Sequence, residues 1–158
     1  MKDIDNEEVL KGTGAVVEVN SLEDFFQQKV KAVENKKIVA SKRITDKQGN
    51  PREWEIKSIT NKEDDALRRK NTTYIKTKSG ATMPRIDTAK YNESMIVECV
   101  VFPDLRNVQL IESWGVSTAE ELLNKMLTPG EINELLKAVQ DVNGWVVDLN
   151  ELVDDIKN

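Results

Sequence analysis

Apolar residues change their period along this chain, and the change divides it. From Ala119 onward they recur at helical spacing. Ala119, Leu122, Leu123, Met126 and Leu127 form one stripe, which predicts a helix over 118–127. Ile132, Leu135, Leu136, Val139 and Val142 form a second stripe over 129–143. At the junction Thr128 is placed to cap, Pro129 suits the first helical position, and Glu131 sits where a capping-box acid belongs. Gly144 follows as a left-handed stop. Asp148 then caps a last helix with Leu149, Leu152, Val153 and Ile156 on one face.

Upstream the pattern mixes periods. Residues 1–14 read as a polar arm, and Ala15–Val19 as a short strand. Ser21 caps an expected helix over 22–34, with Leu22, Phe25, Phe26, Val30 and Val33 turned to the core. Lys37–Thr45 and Arg52–Thr60 are rich in β-branched residues and flank the turn-forming stretch Asp46–Pro51, a hairpin signal. Trp54, Ile56 and Ser58 share one face of the second strand. Thr60 and Glu63 form a capping box for a polar helix over 61–70, which carries Arg68, Arg69 and Lys70. Residues 71–86 read as a long loop with a short extended piece at Tyr74–Lys76. Asp87 caps a helix over 88–101. Ile96–Val101 also fits a strand, but the cap and the stop at Pro103 favour helix. A turn and short helix over 104–115 hold Leu105, Leu110 and Ile111.

The fold class expected is α+β: a small N-terminal β-hairpin or sheet region with helices, then a helical C-terminal part of about four short helices. The divisions are 1–14 arm, 15–78 β-containing region, 79–86 loop and 87–158 helical region, together one compact domain.

Composition narrows the chemistry. A chain of 158 residues is the size of one domain, and 39% hydrophobic with 32% charged residues implies a packed core under a heavily solvated surface. No apolar run approaches the roughly 20 residues of a membrane span, and the acidic start lacks the apolar stretch of a secretory signal. Cys99 is the sole cysteine, so no disulfide forms within the chain. It reads as a buried small apolar residue, consistent with a reducing cytoplasm. Histidine is absent, which excludes histidine-based triads and HExxH zinc sites. No cofactor or metal is expected.

Acidic pairs such as Asp64/Asp65 and Glu120/Glu121 read as solvated helix faces or first-turn acids rather than as acid–base machinery. Gly12-Thr13-Gly14 lacks the rest of a dinucleotide loop. No nucleophile–base pair can be named, so the chain is not expected to be an enzyme. Charge is segregated: residues 36–78 hold 13 Lys/Arg against 6 Asp/Glu, inside a chain of net charge −5. Such a basic middle either packs against the chain's own acids or meets an anionic partner. Trp54, Trp114 and Trp145 lie near element boundaries, where an exposed tryptophan would be a protein-binding anchor.

Several motifs occur in a characteristic order: Asp87-x-x-x-Tyr91, Val97-x-Cys99-Val100-Val101-Phe102-Pro103-Asp104-Leu105, Trp114-Gly115-Val116, Glu121-Leu122-Leu123-x-x-Met126-Leu127-x-Pro129-Gly130-Glu131, and Asn143-Gly144. In these the segment from Asp87 onward resembles the XkdN-like tail assembly chaperones of contractile-tailed phages and prophages. The hairpin around Trp54–Lys57 and the Thr60–Lys70 helix match more loosely, and residues 1–36 carry no part of the likeness. The resemblance implies a non-catalytic protein of the bacterial cytoplasm, absent from the mature virion. It would bind the tape-measure protein and tail-tube subunits while the tail is built. Leu110, Trp114 and Met126, large apolar residues near loop edges in the matching region, are the contact residues it suggests. The competing reading is a generic protein- or nucleic-acid-binding adaptor using the basic 36–78 region.

Overall fold

The computed structural model describes residues 21–145. The expected arm over 1–14, strand Ala15–Val19 and Asp148-capped helix lie outside them. Two compact units divide the chain, Met1–Ala32 and Val33–Asn158.

In the first unit the described residues hold a single 3-10 turn, Leu22–Phe25. The expected helix over 22–34 does not form. Ser21 stands at the N-cap, but its side chain makes no capping bond, and Phe26 is already extended. One uncapped turn does not meet the cost of helix nucleation without a packed face. Phe25 and Phe26 are 65% and 44% exposed, which also corrects their assignment to a core.

In the second unit β1 (Lys36–Ile38) pairs antiparallel with β2 (Trp54–Ile56), with Lys37 opposite Glu55. The hairpin is thus present but shorter than expected. Its connection closes through the isolated Thr45–Pro51 bridge and a turn at Gly49, whose φ of 84° suits glycine. Trp54 and Ile56 are buried and Glu55 between them is half-exposed, as the alternation predicts. The polar helix α1 (Asn61–Lys70) starts at Thr60 with the expected capping box.

The stretch 71–86 is not a loop. It forms β3 (Thr72–Lys76) and β4 (Thr82–Ile86), a two-stranded antiparallel ribbon turned by Thr77–Ala81, with Gly80 at φ 83°. Scattered lysines and threonines hide its period, because both faces are solvated and neither side alternates into a core.

Asp87 caps α2 (Thr88–Cys99), accepting from the Lys90 amide. The helix stops two residues early, and β5 (Val100–Phe102) joins the open edge of β2, with Ile56 opposite Val100. The three-stranded sheet therefore has the order β1-β2-β5. Val100, Val101 and Phe102 favour strand, and the unpaired edge of β2 settles the competition that local signals left open. Leu105 is buried, and α3 (Val108–Ser113) is capped by Asn107.

The two strong stripes form α4 (Ala119–Met126) and α5 (Pro129–Val142), with the Thr128–Glu131 capping box in place. Helix α2 packs against α1, α4, α5 and β5, which explains its nearly all-round apolar C-terminal half. Met95, Ile96, Leu122, Leu123, Leu135 and Val139 are buried around it with Trp54 and Ile56. Cys99 is fully buried there, and burial pushes its thiol pKa up.

Part of the basic middle finds acids within its own chain. Lys36 pairs with Asp141, Arg43 with Glu131, Arg68 with Asp64 and Lys70 with Glu120. Arg43 also donates to the Met126 carbonyl at 2.9 Å, so it clamps the α4–α5 junction. Together with the Ser41 and Thr128 contacts, this lowers the Glu131 carboxyl to about 2.

Candidate functional site

The C-terminal end of α5 builds the most distinctive surface. Gly144 has φ 82°, its amide donates to Asp141 O at 3.0 Å, and the Trp145 amide donates to Gln140 O at 2.8 Å. This pair of bonds is a Schellman stop, which needs a left-handed residue and therefore glycine. It swings Trp145 off the helix axis and leaves the indole 43% exposed.

Asn143, just before the stop, ties three elements together. Its Oδ1 accepts from the Ile59 amide at 2.9 Å. Its Nδ2 donates to Val139 O at 2.8 Å and to Cys99 Sγ at 3.5 Å. The Asn143-Gly144 pair thus joins the end of α5 to α2 and to the chain leaving β2.

A shallow depression of about 190 Å³ lies on one side of Trp145, lined by Arg68, Tyr91, Met95, Leu136 and Gln140 among others. A second of about 160 Å³ lies on the other side, lined by Ile59, Thr60, Asp64 and Asn143. Under them Asp64 is 5% exposed. It accepts from Arg68 Nε at 2.9 Å and from the Tyr91 hydroxyl. The Arg68 guanidinium lies 5.7 Å from the Tyr91 ring centre, in cation–π range. Burial first, then the Asp64 bond and charge, push the Tyr91 phenol up to about 12.

Asp64 was expected on a solvated face, and that expectation fails. Its i,i+4 partner Arg68 was legible in the sequence, but Tyr91, 27 residues away, was not. With both carboxylate oxygens engaged, Asp64 is a fixed buried anchor rather than a free acid or base. Among the described residues no group of three or more His, Cys, Asp or Glu is placed to hold a metal. No helix among them is long and apolar enough to cross a membrane. The rim carries an indole, an apolar edge from Leu136, and donors from Arg68 and Gln140, over a floor that includes the buried Met95. Such a shallow, mixed surface suits the side chains of a protein partner better than an enclosed small molecule.

The structure separates the three contact residues suggested from sequence. Met126 is 5% exposed and belongs to the core, so its side chain is not a surface contact. The physical reason is its place on the inward stripe of α4 with Leu122 and Leu123. Leu110 and Trp114 lie on and just after α3, partly buried against the core. Neither lines the depressions beside Trp145. Of the three tryptophans Trp54 is buried, Trp114 is half-buried and Trp145 is exposed, so the exposed-anchor condition is met at Trp145 alone.

A third hollow, of about 320 Å³, opens beside the sheet between Lys37, Glu53, Trp54, Glu55 and Phe102. Its charged rim carries both signs, and it brings no convergent chemistry together.

Comparison with known proteins places the chain in a family. Residues 22–157 match the family model described as phage XkdN-like tail assembly chaperone protein, reaching further toward the N-terminus than the motifs alone. XkdN of the phage-like element PBSX of Bacillus subtilis (strain 168) is 30% identical over 142 residues, 89% of this chain and 95% of that protein. YqbN from the same strain matches with the same identity and coverage. The crystal structure of the protein YqbN superposes with a TM-score of 0.70 at 25% identity, covering 82% of this chain and all of that one. The motifs that occur in order along the sequence, the α+β fold and this match agree: the chain belongs to the XkdN-like phage tail assembly chaperone family.

Proposed function

We propose that the chain holds the tape-measure protein soluble during tail building, in the host cytoplasm, and helps recruit tail-tube subunits without catalysing a reaction. A tape measure presents apolar stripes on long helices, and a chaperone for it needs a shallow, partly apolar, well-solvated receptor. The observation that carries the reading is the exposed Trp145 standing between two shallow depressions, with the half-buried Leu136 at its side. A helix laid across α2 and the end of α5 would bury the indole at its centre, the usual position of an energetic anchor. Leu110 and Trp114 serve as outlying contacts on α3, where Val108 is also exposed.

The test is co-expression with the tape-measure protein of the same phage or prophage, followed by affinity capture of the tagged chain. The parent chain keeps the tape measure in the supernatant and co-purifies with it. Trp145→Ala reduces recovery by at least about tenfold, as for an anchor tryptophan. It lowers the melting temperature only modestly, because Trp145 is 43% exposed and outside the buried core. Full recovery with Trp145→Ala would remove this surface from the binding site. Failure of the parent chain to retain the tape measure would remove the partner.

A further inference from the structure

The ribbon β3–β4 is unusual in what it leaves open. Its root is fixed: Asn71 is buried and donates from Nδ2 to Ser94 Oγ at 3.2 Å and to Leu67 O at 2.8 Å. Beyond that root every residue of β4 is exposed, and Tyr74, Ile75, Met83 and Ile86 are 72%, 43%, 53% and 41% exposed. Tyr74, Pro84 and Ile86 lie on one face and Ile75 and Met83 on the other, so the ribbon is apolar on both sides. A lone two-stranded ribbon is marginal in water, and a third strand would stabilise it.

The two edges are not equivalent. At one end of the ladder the Asp87 amide donates to Asn71 O, and at the other the Thr77 amide donates to Ala81 O, both at 2.8 Å. Pairs in an antiparallel ladder alternate between inward-bonded and outward-facing. Counting inward from these ends, Thr73–Arg85 and Ile75–Met83 are the bonded pairs. Thr72, Tyr74 and Lys76 therefore point their backbone groups outward from β3, and Thr82, Pro84 and Ile86 point theirs outward from β4. Pro84 has no N–H to offer, so the β4 edge is blocked at its centre, a common protection of edge strands. The β3 edge carries no such block.

Charge gives the occupant its sign. From Ala66 to Ile86 the chain has six Lys/Arg and no Asp/Glu. Arg68 and Lys70 pair with Asp64 and Glu120, while Arg69, Lys76, Lys78 and Arg85 make no ion pair among the described residues. We propose that the β3 edge is a docking strand for an extended, acidic segment of a partner protein, which adds a third strand along Thr72–Lys76. A second copy of the chain would bring the same four cations against these. A nucleic acid would meet the cations but leave the open edge and the apolar faces without partners. The site is separate from the surface around Trp145 and does not rest on the function proposed for it.

The probe is a fluorescein-labelled peptide of alternating valine or threonine and glutamate, read by anisotropy against the full chain. Controls are the same peptide with lysine for glutamate, a 20-base-pair DNA duplex, and sedimentation of the chain alone. Binding of the acidic peptide, at least about tenfold tighter than the lysine version, is expected, with new exchange protection at the Tyr74 and Lys76 amides. Tyr74→Pro loses the phenol ring as Tyr74→Ala does, and in addition only an outward N–H of the backbone. It should weaken binding at least about tenfold more than Tyr74→Ala, with little change in melting temperature. Should Tyr74→Pro fail to fold, the double reversal Lys76→Glu with Arg85→Glu leaves the ladder intact and should abolish acidic-peptide binding. Trp145→Ala should leave it unchanged. Equal losses for Tyr74→Pro and Tyr74→Ala, binding of the duplex but not the peptide, or a dimer that occupies the edge would each overturn the proposal.

Discussion

Replacing Asn143 by alanine tests the joint that holds the C-terminal helix to the sheet region. The substitution removes the acceptor of the Ile59 amide and the donor to Cys99 Sγ, and it ends the side-chain bond to Val139 O. The Val139 carbonyl keeps a partner, because the Asn143 backbone amide also donates to it at 3.2 Å. The Cys99 contact is a weak bond to sulfur. The largest loss is therefore the part-buried Ile59 amide, left without its acceptor beside the depression that Ile59 and Asn143 line. An unsatisfied, partly buried amide costs about 1–3 kcal/mol. We expect a loss near the middle of that range, about 2 kcal/mol, in urea unfolding with an unchanged slope. For a chain of this size that corresponds to a melting temperature lower by about 4–8 °C. Hydrogen exchange gives the local readout: Ile59 should lose protection, while Leu122 and Leu135, in the core, should follow global stability only. A loss under about 0.5 kcal/mol, or an Ile59 amide as protected as in the parent, would refute the reasoning.

Two further outcomes are expected. Tyr91→Phe leaves nearly buried Asp64 with Arg68 as its remaining side-chain partner, and loss of a bond to a charged group should cost about 1.5–3 kcal/mol in denaturant unfolding. A double-mutant cycle with Asp64→Asn should return most of that as coupling, and strict additivity would show that the contact carries little energy. The second concerns pH. Glu131 is held at about 2, below its ordinary 4.5, with the Arg43 hydrogen bond as the largest cause. A carboxyl with a depressed folded pKa stabilises the fold above its unfolded pKa and loses that contribution as pH falls through the folded one. Urea midpoints should thus decline between about pH 4.5 and 2, and Arg43→Met should flatten that decline and raise the Glu131 carboxyl measured by carbon NMR. An identical decline in the variant would assign it to other carboxylates.

Much of the helical half was legible in the residues themselves. The Thr128–Glu131 capping box, Pro129, the Gly144 stop and the two stripes are local signals with local causes, and all appear in α4, α5 and their junction. The alternation at Trp54 and Ile56 likewise marked a buried strand face. The likeness to XkdN-like chaperones rested on the same segment and was shown to extend over residues 22–157.

What the sequence left open depended on partners far along the chain. Val97–Phe102 fits helix or strand by local preference. The free edge of β2, more than forty residues earlier, makes Val100–Phe102 a strand. The ribbon at 72–86 has no core-facing side, so no alternation announces it, and only the pairing of β3 with β4 makes it visible. Asp64 becomes a buried anchor because α2 brings Tyr91 over it. Met126 lies in the core while Trp145 stands in solvent, although both are large apolar residues at helix ends. Caps, stops and stripes act within a turn or two and can be read in sequence order. Strand edges, buried charges and exposed anchors are set by which surfaces meet, and that is decided only when the elements pack.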